Sequence, residues 1–157
     1  MKGKIAHFLL DPVLATSPPN EAFISAMLEI GYEVDLYAPG PVTELSYYGK
    51  GVRAFLVEYG YRWMARNAFR WKWREYRALS GTTEDPMAVV GVLAALHGRR
   101  VLTLADEIRT GSNAGNRSAR WKALCRSGMS RAALTVVNDE ERIPLQRDYA
   151  GLAPDRP

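Results

Sequence analysis

Apolar residues in this chain occur both in short continuous runs and in longer stretches with helical spacing. The run at 4–10 predicts a buried strand, and its end is marked by an Asp-Pro pair. The next stretch, 21–30, repeats apolar residues every three to four positions, as a helix does, and a second apolar run follows at 32–37. A strand, a helix and a strand in this order predict a right-handed crossover and a parallel sheet.

The rest of the chain continues the alternation. The order of elements predicts a doubly wound, mostly parallel Rossmann-like α/β sheet with helices on both faces, built as a single domain over residues 1–152. A polar tail follows at 153–157. Further strands are predicted at 52–59, 76–82, 100–105 and 132–137, and further helices at 61–76, 85–97, 118–128 and 139–149.

The composition is that of a packed globular protein. Hydrophobic residues make up 47% and charged residues 24% of the 157 residues, a length that fits one domain with a substantial core. Cys125 is the single cysteine, which excludes an internal disulfide or a cysteine-based zinc site, and no metal is expected. No apolar run reaches the roughly 18 residues of a membrane span, and no signal peptide is evident. We therefore expect a cytoplasmic location.

The predicted helix at 61–76 has an unusual surface. Arginines recur at every fourth position, which places them in one stripe along a helix, and two tryptophans lie among them. The predicted surface comprises Arg62, Trp63, Arg66, Arg70, Trp73 and Arg74. The residues expected to face the sheet are Met64, Ala65, Ala68, Phe69, Trp71 and Tyr76.

Three interpretations of this surface remain open. Arginines with interfacial tryptophans suit anionic lipid headgroups or a lipid-diphosphate acceptor, which would make the protein peripheral at a membrane. The same residues also suit a solvated face that packs against a separate domain or a second copy of the chain. Arginine and tryptophan bind the phosphates and bases of nucleic acids too, but a net charge of +4 gives nucleic acid little support.

Polar residues follow several of the predicted strands. In an open parallel sheet the ligand crevice lies outside the carboxyl ends of the strands, so these residues are candidates for a site. Glu84 and Asp85 follow one predicted strand, and Asp106 and Glu107 follow the next. Four carboxylates at neighbouring strand ends can bind ligand hydroxyls and raise one another's pKa. Asp85 is alternatively a helix N-cap, whereas Asp106 precedes an irregular stretch and has no such role.

A second candidate group lies around the start of the first predicted helix. Thr16, Ser17 and Asn20 can bind an anion such as phosphate there, because backbone N–H groups and the helix dipole favour negative charge. They can equally be capping residues. His7 is expected to be a satisfied core histidine rather than a catalytic base, and His97 to interact favourably with a helix C-terminus.

Three stretches sharpen the fold prediction. Residues 31–40 read GYEVDLYAPG, the stretch at 84–95 begins Glu-Asp-Pro, and VLTLADE at 101–107 leads to RAALTVVNDE at 131–140. Together with the order of elements, they resemble the N-terminal domain of family-4-like GT-B glycosyltransferases. The resemblance extends from residue 4 to about residue 152.

The resemblance implies a function in which acceptor and donor are bound by two separate halves of the enzyme. The chain would be the acceptor-binding half of a hexosyltransferase-like enzyme, with Asp106 and Glu84 near the reacting hydroxyl of a saccharide or lipid-linked acceptor. A sugar-nucleotide donor is expected only with a separate donor-binding half, so we expect the domain alone to be inactive, and no other cofactor is implied. The alternative, from a different class, is a non-catalytic Rossmann-like binding or scaffold protein that uses the arginine and tryptophan surface.

Overall fold

The computed structural model describes residues 2–14, 17–42, 51–82, 84–105, 117–137 and 140–151. Within these ranges six strands form one parallel sheet in the order β3-β2-β1-β4-β5-β6. This is the strand order of the Rossmann fold, so the predicted doubly wound α/β architecture is confirmed. The strands are β1 (Gly3–Phe8), β2 (Tyr32–Ala38), β3 (Val52–Leu56), β4 (Tyr76–Thr82), β5 (Arg100–Ala105) and β6 (Leu134–Val137).

Helices connect the strands in the described part of the chain. α1 joins β1 to β2, α3 joins β4 to β5, α4 joins β5 to β6, and α5 follows β6. The connection from β3 to β4 contains α2 and a short 3-10 helix. The bounds are α1 (Pro18–Glu29), α2 (Tyr61–Asn67), the 3-10 helix (Trp71–Glu75), α3 (Asp85–His97), α4 (Ala119–Ser130) and α5 (Arg142–Ala150). The tail predicted at 153–157 lies outside the described residues.

The two faces of the sheet bury separate cores, because successive side chains of a strand point to opposite faces. On one face, here called the α1 face, Val34 and Leu36 of β2 pack in the same cluster as Ile24 of α1. On the other, here called the α3 face, Phe8 and Tyr37 pack with residues of α3, α4 and the 3-10 helix. The alternation places helices on both sides of the sheet, as the sequence predicts.

α3 and α4 approach each other closely on the α3 face. A Cβ built on Gly128 would lie 2.0 Å from the carbonyl oxygen of Met87, and one on Gly91 would lie 2.5 Å from the Cα of Gly128. No side chain fits in these distances, so glycine at both positions is what allows the two helices to touch through their backbones.

The prediction of a single continuous helix at 61–76 is wrong. α2 ends at Asn67, Arg70 is extended with φ −69° and ψ 133°, and the 3-10 helix begins after it. On a continuous helix Trp73 would share the exposed face of Arg66 and Arg70. In the structure the Trp73 ring is fully buried and its indole N–H donates to the Asn67 carbonyl oxygen at 2.6 Å. Burying this large ring favours the break over helical continuity.

An apolar groove runs along the α1 face between α1 and strands β5 and β6. Its volume is about 630 Å³, and Phe23 and Met27 of α1 face Leu104, Leu134 and Val136 across it. Leu134 and Val136 are 56% and 42% exposed on the short strand β6. The groove follows from the winding of the chain, since α3 and α4 both pack on the opposite face.

Candidate functional site

The candidate site lies at the carboxyl edge of the sheet, between β1 and β4. The chain leaves β1 through α1 toward β2 on one side and leaves β4 through α3 toward β5 on the other. In doubly wound sheets such a reversal of direction opens the crevice in which ligands bind. The first turns of α1 and α3 and the end of β4 therefore supply the polar groups to consider.

Glu84 immediately precedes α3 and has an unusual backbone conformation. Its φ is 72° and its ψ is −125°, a region that residues with a Cβ rarely adopt. Its carbonyl oxygen accepts from the N–H groups of Met87 and Ala88, so the residue is the N-cap of α3. Backbone strain of this kind costs on the order of 1–3 kcal/mol and clusters at functional sites. The structure thus puts Glu84 at the carboxyl edge, in an uncommon conformation.

Asp85 has a structural role within the fold. It is the first residue of α3 rather than the N-cap, so the capping interpretation of Asp85 is wrong by one position. Its carboxylate forms an ion pair with Arg117, and the other oxygen accepts from the indole N–H of Trp121 in α4 at 2.5 Å. These bonds tie the start of α3 to α4 and use both carboxylate oxygens.

Thr82, the last residue of β4, carries a buried hydroxyl without a partner. The residue is 3% exposed, and its Oγ1 makes no hydrogen bond in the described part of the chain. An unsatisfied buried hydroxyl costs about 1–3 kcal/mol, so such a group in a native fold needs a reason. The sequence does not single out Thr82, because a threonine at the end of a strand carries no special signal.

The residues around the start of α1 form a buried polar network. The Nδ1 of His7 lies 3.0 Å from the hydroxyl of Ser80, and its Nε2 lies 2.9 Å from Oδ1 of Asn20. The Nδ2 of Asn20 donates to the hydroxyl of Ser17 at 2.6 Å. Because Oδ1 can only accept, the His7 proton is on Nε2 and the Ser80 hydroxyl donates to Nδ1.

Burial keeps His7 neutral. It lowers the pKa of His7 to about 4, against the opposing effect of the hydrogen bond that His7 donates to Asn20. The expectation of a satisfied core histidine is therefore confirmed.

The start of α1 offers few donors to an anion. Pro18 and Pro19 have no N–H, and the N–H groups of Asn20 and Glu21 both bond to the carbonyl oxygen of Ser17. Ser17 and Asn20 are buried and belong to the His7 network. This geometry favours the structural role of Ser17 and Asn20 over phosphate binding.

Three predicted site residues, Thr16, Asp106 and Glu107, lie outside the described residues. β5 ends at Ala105 on the same edge as Thr82, because Thr82 pairs with Leu104 in the parallel register. The expected meeting of Asp106 with Glu84 stays a prediction.

The predicted arginine surface is only partly as expected. Arg62, Arg66, Arg70 and Arg74 are all exposed. Trp73 is fully buried, so its assignment to this surface is wrong. Trp63 is half-buried and packs edge-on against Phe8, and its assignment stays a prediction.

Two other aromatic residues are exposed at this surface. Phe69 and Trp71, expected to face the sheet, are 80% and 69% exposed, whereas Met64, Ala68 and Tyr76 are buried as predicted and Ala65 is exposed. Both exposed rings flank Arg70 at the break between α2 and the 3-10 helix. We call Phe69 and Trp71 the aromatic knuckle.

A second polar cluster, which sequence analysis missed, lies on the α3 face of β2 and β3. Buried Asp35 accepts two hydrogen bonds from the guanidinium of Arg53, both at 2.8 Å, and one from the hydroxyl of Tyr76 at 2.6 Å. The hydroxyls of Tyr37 and Tyr76 lie 2.8 Å apart, and Lys72 donates to Tyr37 at 3.2 Å. Burial raises the pKa of Tyr37 to about 12 and lowers the pKa of Lys72. The cluster anchors β3 and the 3-10 helix to β2.

Neither a bilayer span nor a metal centre is found in the described residues. None of their helices is both long and hydrophobic enough to cross a bilayer. The same ranges bring no three His, Cys, Asp or Glu side chains together in a way that could hold a metal ion. A scan against models of known protein families and a search of curated proteins found no match to this chain.

Proposed function

We propose that this domain is the acceptor-binding half of a sugar-nucleotide-dependent glycosyltransferase of the GT-B, family-4-like type. The observation that supports it most is the end of β4. There the hydroxyl of Thr82, which has no partner among the described residues, and the strained residue Glu84 stand two positions apart at the crevice. A buried hydroxyl and a carboxylate at one edge suit recognition of a sugar or alcohol hydroxyl.

The proposed chemistry divides between two halves. A carboxylate from Glu84 or Asp106 would accept the proton of the attacking acceptor hydroxyl, which is the role of a general base. The leaving diphosphate of the donor requires opposing positive groups or N–H donors, and these would come from the donor-binding half. We therefore expect this domain to bind acceptor alone and to transfer no sugar alone.

Isothermal titration calorimetry on the isolated domain tests the proposal, with saccharides and short-chain lipid-linked sugars as ligands. Glu84→Gln removes the negative charge and one acceptor oxygen, and Thr82→Val removes the hydroxyl. Each should weaken acceptor binding by about fivefold to a hundredfold, since losing one such hydrogen bond costs about 1–3 kcal/mol. Glu29→Gln is the matched control, because Glu29 is exposed at the far end of α1. Equal affinities for all four proteins would contradict the assignment, and sugar transfer by the isolated domain would contradict the division into halves.

A non-catalytic binding or scaffold protein is the second candidate. The exposed aromatic knuckle favours it, because two large apolar side chains in solvent are a common feature of interaction surfaces. Absence of saccharide binding, together with loss of a bound partner on substitution of Phe69 and Trp71, would support this candidate over the first.

The proposal includes a location. A lipid-linked acceptor would require the domain to work at the cytoplasmic surface of a membrane as a peripheral protein. The exposed Arg62, Arg66, Arg70 and Arg74 support this location, since basic side chains are attracted to anionic lipid headgroups.

A further inference from the structure

The aromatic knuckle stands on a rigid base. Ala68 and Trp73, which flank it, are buried, whereas Phe69 and Trp71 between them are 80% and 69% exposed. The chain therefore leaves the core at Ala68, presents two large apolar side chains to solvent on either side of Arg70, and returns at Trp73.

Hydrogen bonds fix the backbone of this turn. The carbonyl oxygen of Asn67 accepts from the Trp73 indole N–H at 2.6 Å, and the Asn67 side chain donates to the Trp63 carbonyl oxygen at 2.9 Å. The carbonyl oxygen of Ala68 accepts from Nε2 of His97 at 2.6 Å. Since the turn is already ordered, a ligand that binds the two rings does not have to offset the entropy of ordering the loop.

The charges around the knuckle are mostly positive. Arg62, Arg66, Arg70 and Arg74 are exposed, and the nearby exposed acids in the sequence are Glu58 and Glu75. The Arg74 guanidinium lies 4.1 Å from the centre of the Trp71 ring. A stacked guanidinium keeps its N–H groups directed outward in the plane of the fork, where they can bind phosphate oxygens.

We propose that the aromatic knuckle inserts into the interface of an anionic phospholipid bilayer, with Phe69 and Trp71 at the acyl boundary and the four arginines on headgroup phosphates. Tryptophan and phenylalanine with adjacent arginines match both layers of that interface, the apolar boundary and the charged headgroups. This inference rests on the proposed membrane location and names the side chains that would produce it. It does not depend on sugar transfer.

Vesicle sedimentation tests the inference, with vesicles of phosphatidylcholine alone and of an equimolar mixture with phosphatidylserine. We expect wild type to bind the mixed vesicles and the double variant Phe69→Ser/Trp71→Ser to bind them roughly tenfold or more weakly, because two apolar side chains leave the interface. Binding of wild type to the mixed vesicles should weaken as salt is added. The variant with all four arginines changed to glutamine should lose this salt-sensitive binding. Leu56→Ser is the matched control, since Leu56 is 70% exposed but lies on β3.

The binding results distinguish insertion of the aromatic knuckle from a membrane location that depends on the arginines alone. Equal binding of wild type and the double variant, with loss in the arginine variant, would refute insertion and retain the membrane location. No binding of wild type to mixed vesicles would refute both the insertion and the membrane location, and a preference for RNA or a protein partner would do the same. Neither result bears on acceptor binding, which calorimetry tests separately.

Fluorescence supplies a second measurement that does not require the double variant to fold. Vesicles with brominated acyl chains should quench tryptophan emission of wild type, because Trp71 is the most exposed of Trp63, Trp71, Trp73 and Trp121. Trp71→Phe keeps the apolar surface, so it should still bind but lose the quenching. Quenching that persists in Trp71→Phe, or that is absent in bound wild type, would overturn the insertion.

Discussion

Lowering the pH from 7 to 5 should destabilise this protein through one buried side chain, His7. The folded state holds the pKa of His7 at about 4 because burial disfavours the charged ring, whereas the unfolded chain has the ordinary value of 6.5. Between these two pKa values the unfolded state binds a proton that the folded state does not. The free energy of unfolding therefore falls as the pH falls through this window.

The size of the effect follows from the two pKa values. Their difference, 6.5 minus about 4, corresponds to about 3.4 kcal/mol at 1.36 kcal/mol per unit, lost in full only below about pH 4. From pH 7 to pH 5 the loss from His7 is about 2 kcal/mol. That is a large part of the total stability of a typical domain, about 5–15 kcal/mol.

Urea unfolding at the two pH values measures this loss in wild type and in His7→Gln. Glutamine keeps a donor and an acceptor for Asn20 and Ser80 but does not titrate. Every ionisable group other than position 7 is the same in both proteins, so the contribution of those groups cancels in the comparison. Wild type should lose about 2 kcal/mol more than the variant. The same loss in both proteins would refute the reasoning.

Three further substitutions test the packing and the polar groups. Gly128→Ala should lower the free energy of unfolding by about 1–3 kcal/mol or more in urea titrations, because its Cβ would collide with the Met87 carbonyl, whereas Gly60→Ala, with open space around it, should change little. Thr82→Val should leave the melting temperature unchanged or raise it, because the lost hydroxyl has no partner in the described ranges; a clear decrease would reveal a bond that Thr82 makes. Arg53→Gln should cost about 1–3 kcal/mol, since Asp35, which is 2% exposed, loses its cation, and an unchanged unfolding midpoint would contradict this role.

The sequence predicts the bounds of a strand well where a mostly apolar run is clearly delimited, as in β5, and also at β4, although β4 includes Arg77, Ser80 and Thr82. β4 and β5 begin and end where the pattern indicates, and α3 is delimited by Asp85 and the left-handed Gly98 that follows it. The pattern fails at 61–76, where arginines at every fourth position have helical spacing. There the burial of Trp73 outweighs that local signal.

The sequence predicts which residues lie near the candidate site, because the order of strands and helices determines that, but it does not predict their conformations or their hydrogen bonds. The position of Glu84 follows from its place directly after a strand, whereas its backbone conformation does not. The pair of Asp35 and Arg53 depends on the register between β2 and β3, which sets the two residues opposite each other. The hydroxyl of Thr82 is notable for lacking a partner, and a linear sequence does not reveal which groups are left unpaired.

The groove between α1 and strands β5 and β6 affects how the isolated domain behaves in concentrated solution. β6 is the outermost strand of the described sheet on that side and has four residues, so no other described strand pairs with its outer N–H and C=O groups. Leu134 and Val136 add an apolar strip beside that edge. Proteins usually protect such edges with lysine or proline, which obstruct strand addition, and β6 contains neither. Edge-to-edge association through β6 is therefore the expected route by which this domain aggregates, and Val136→Lys should block it.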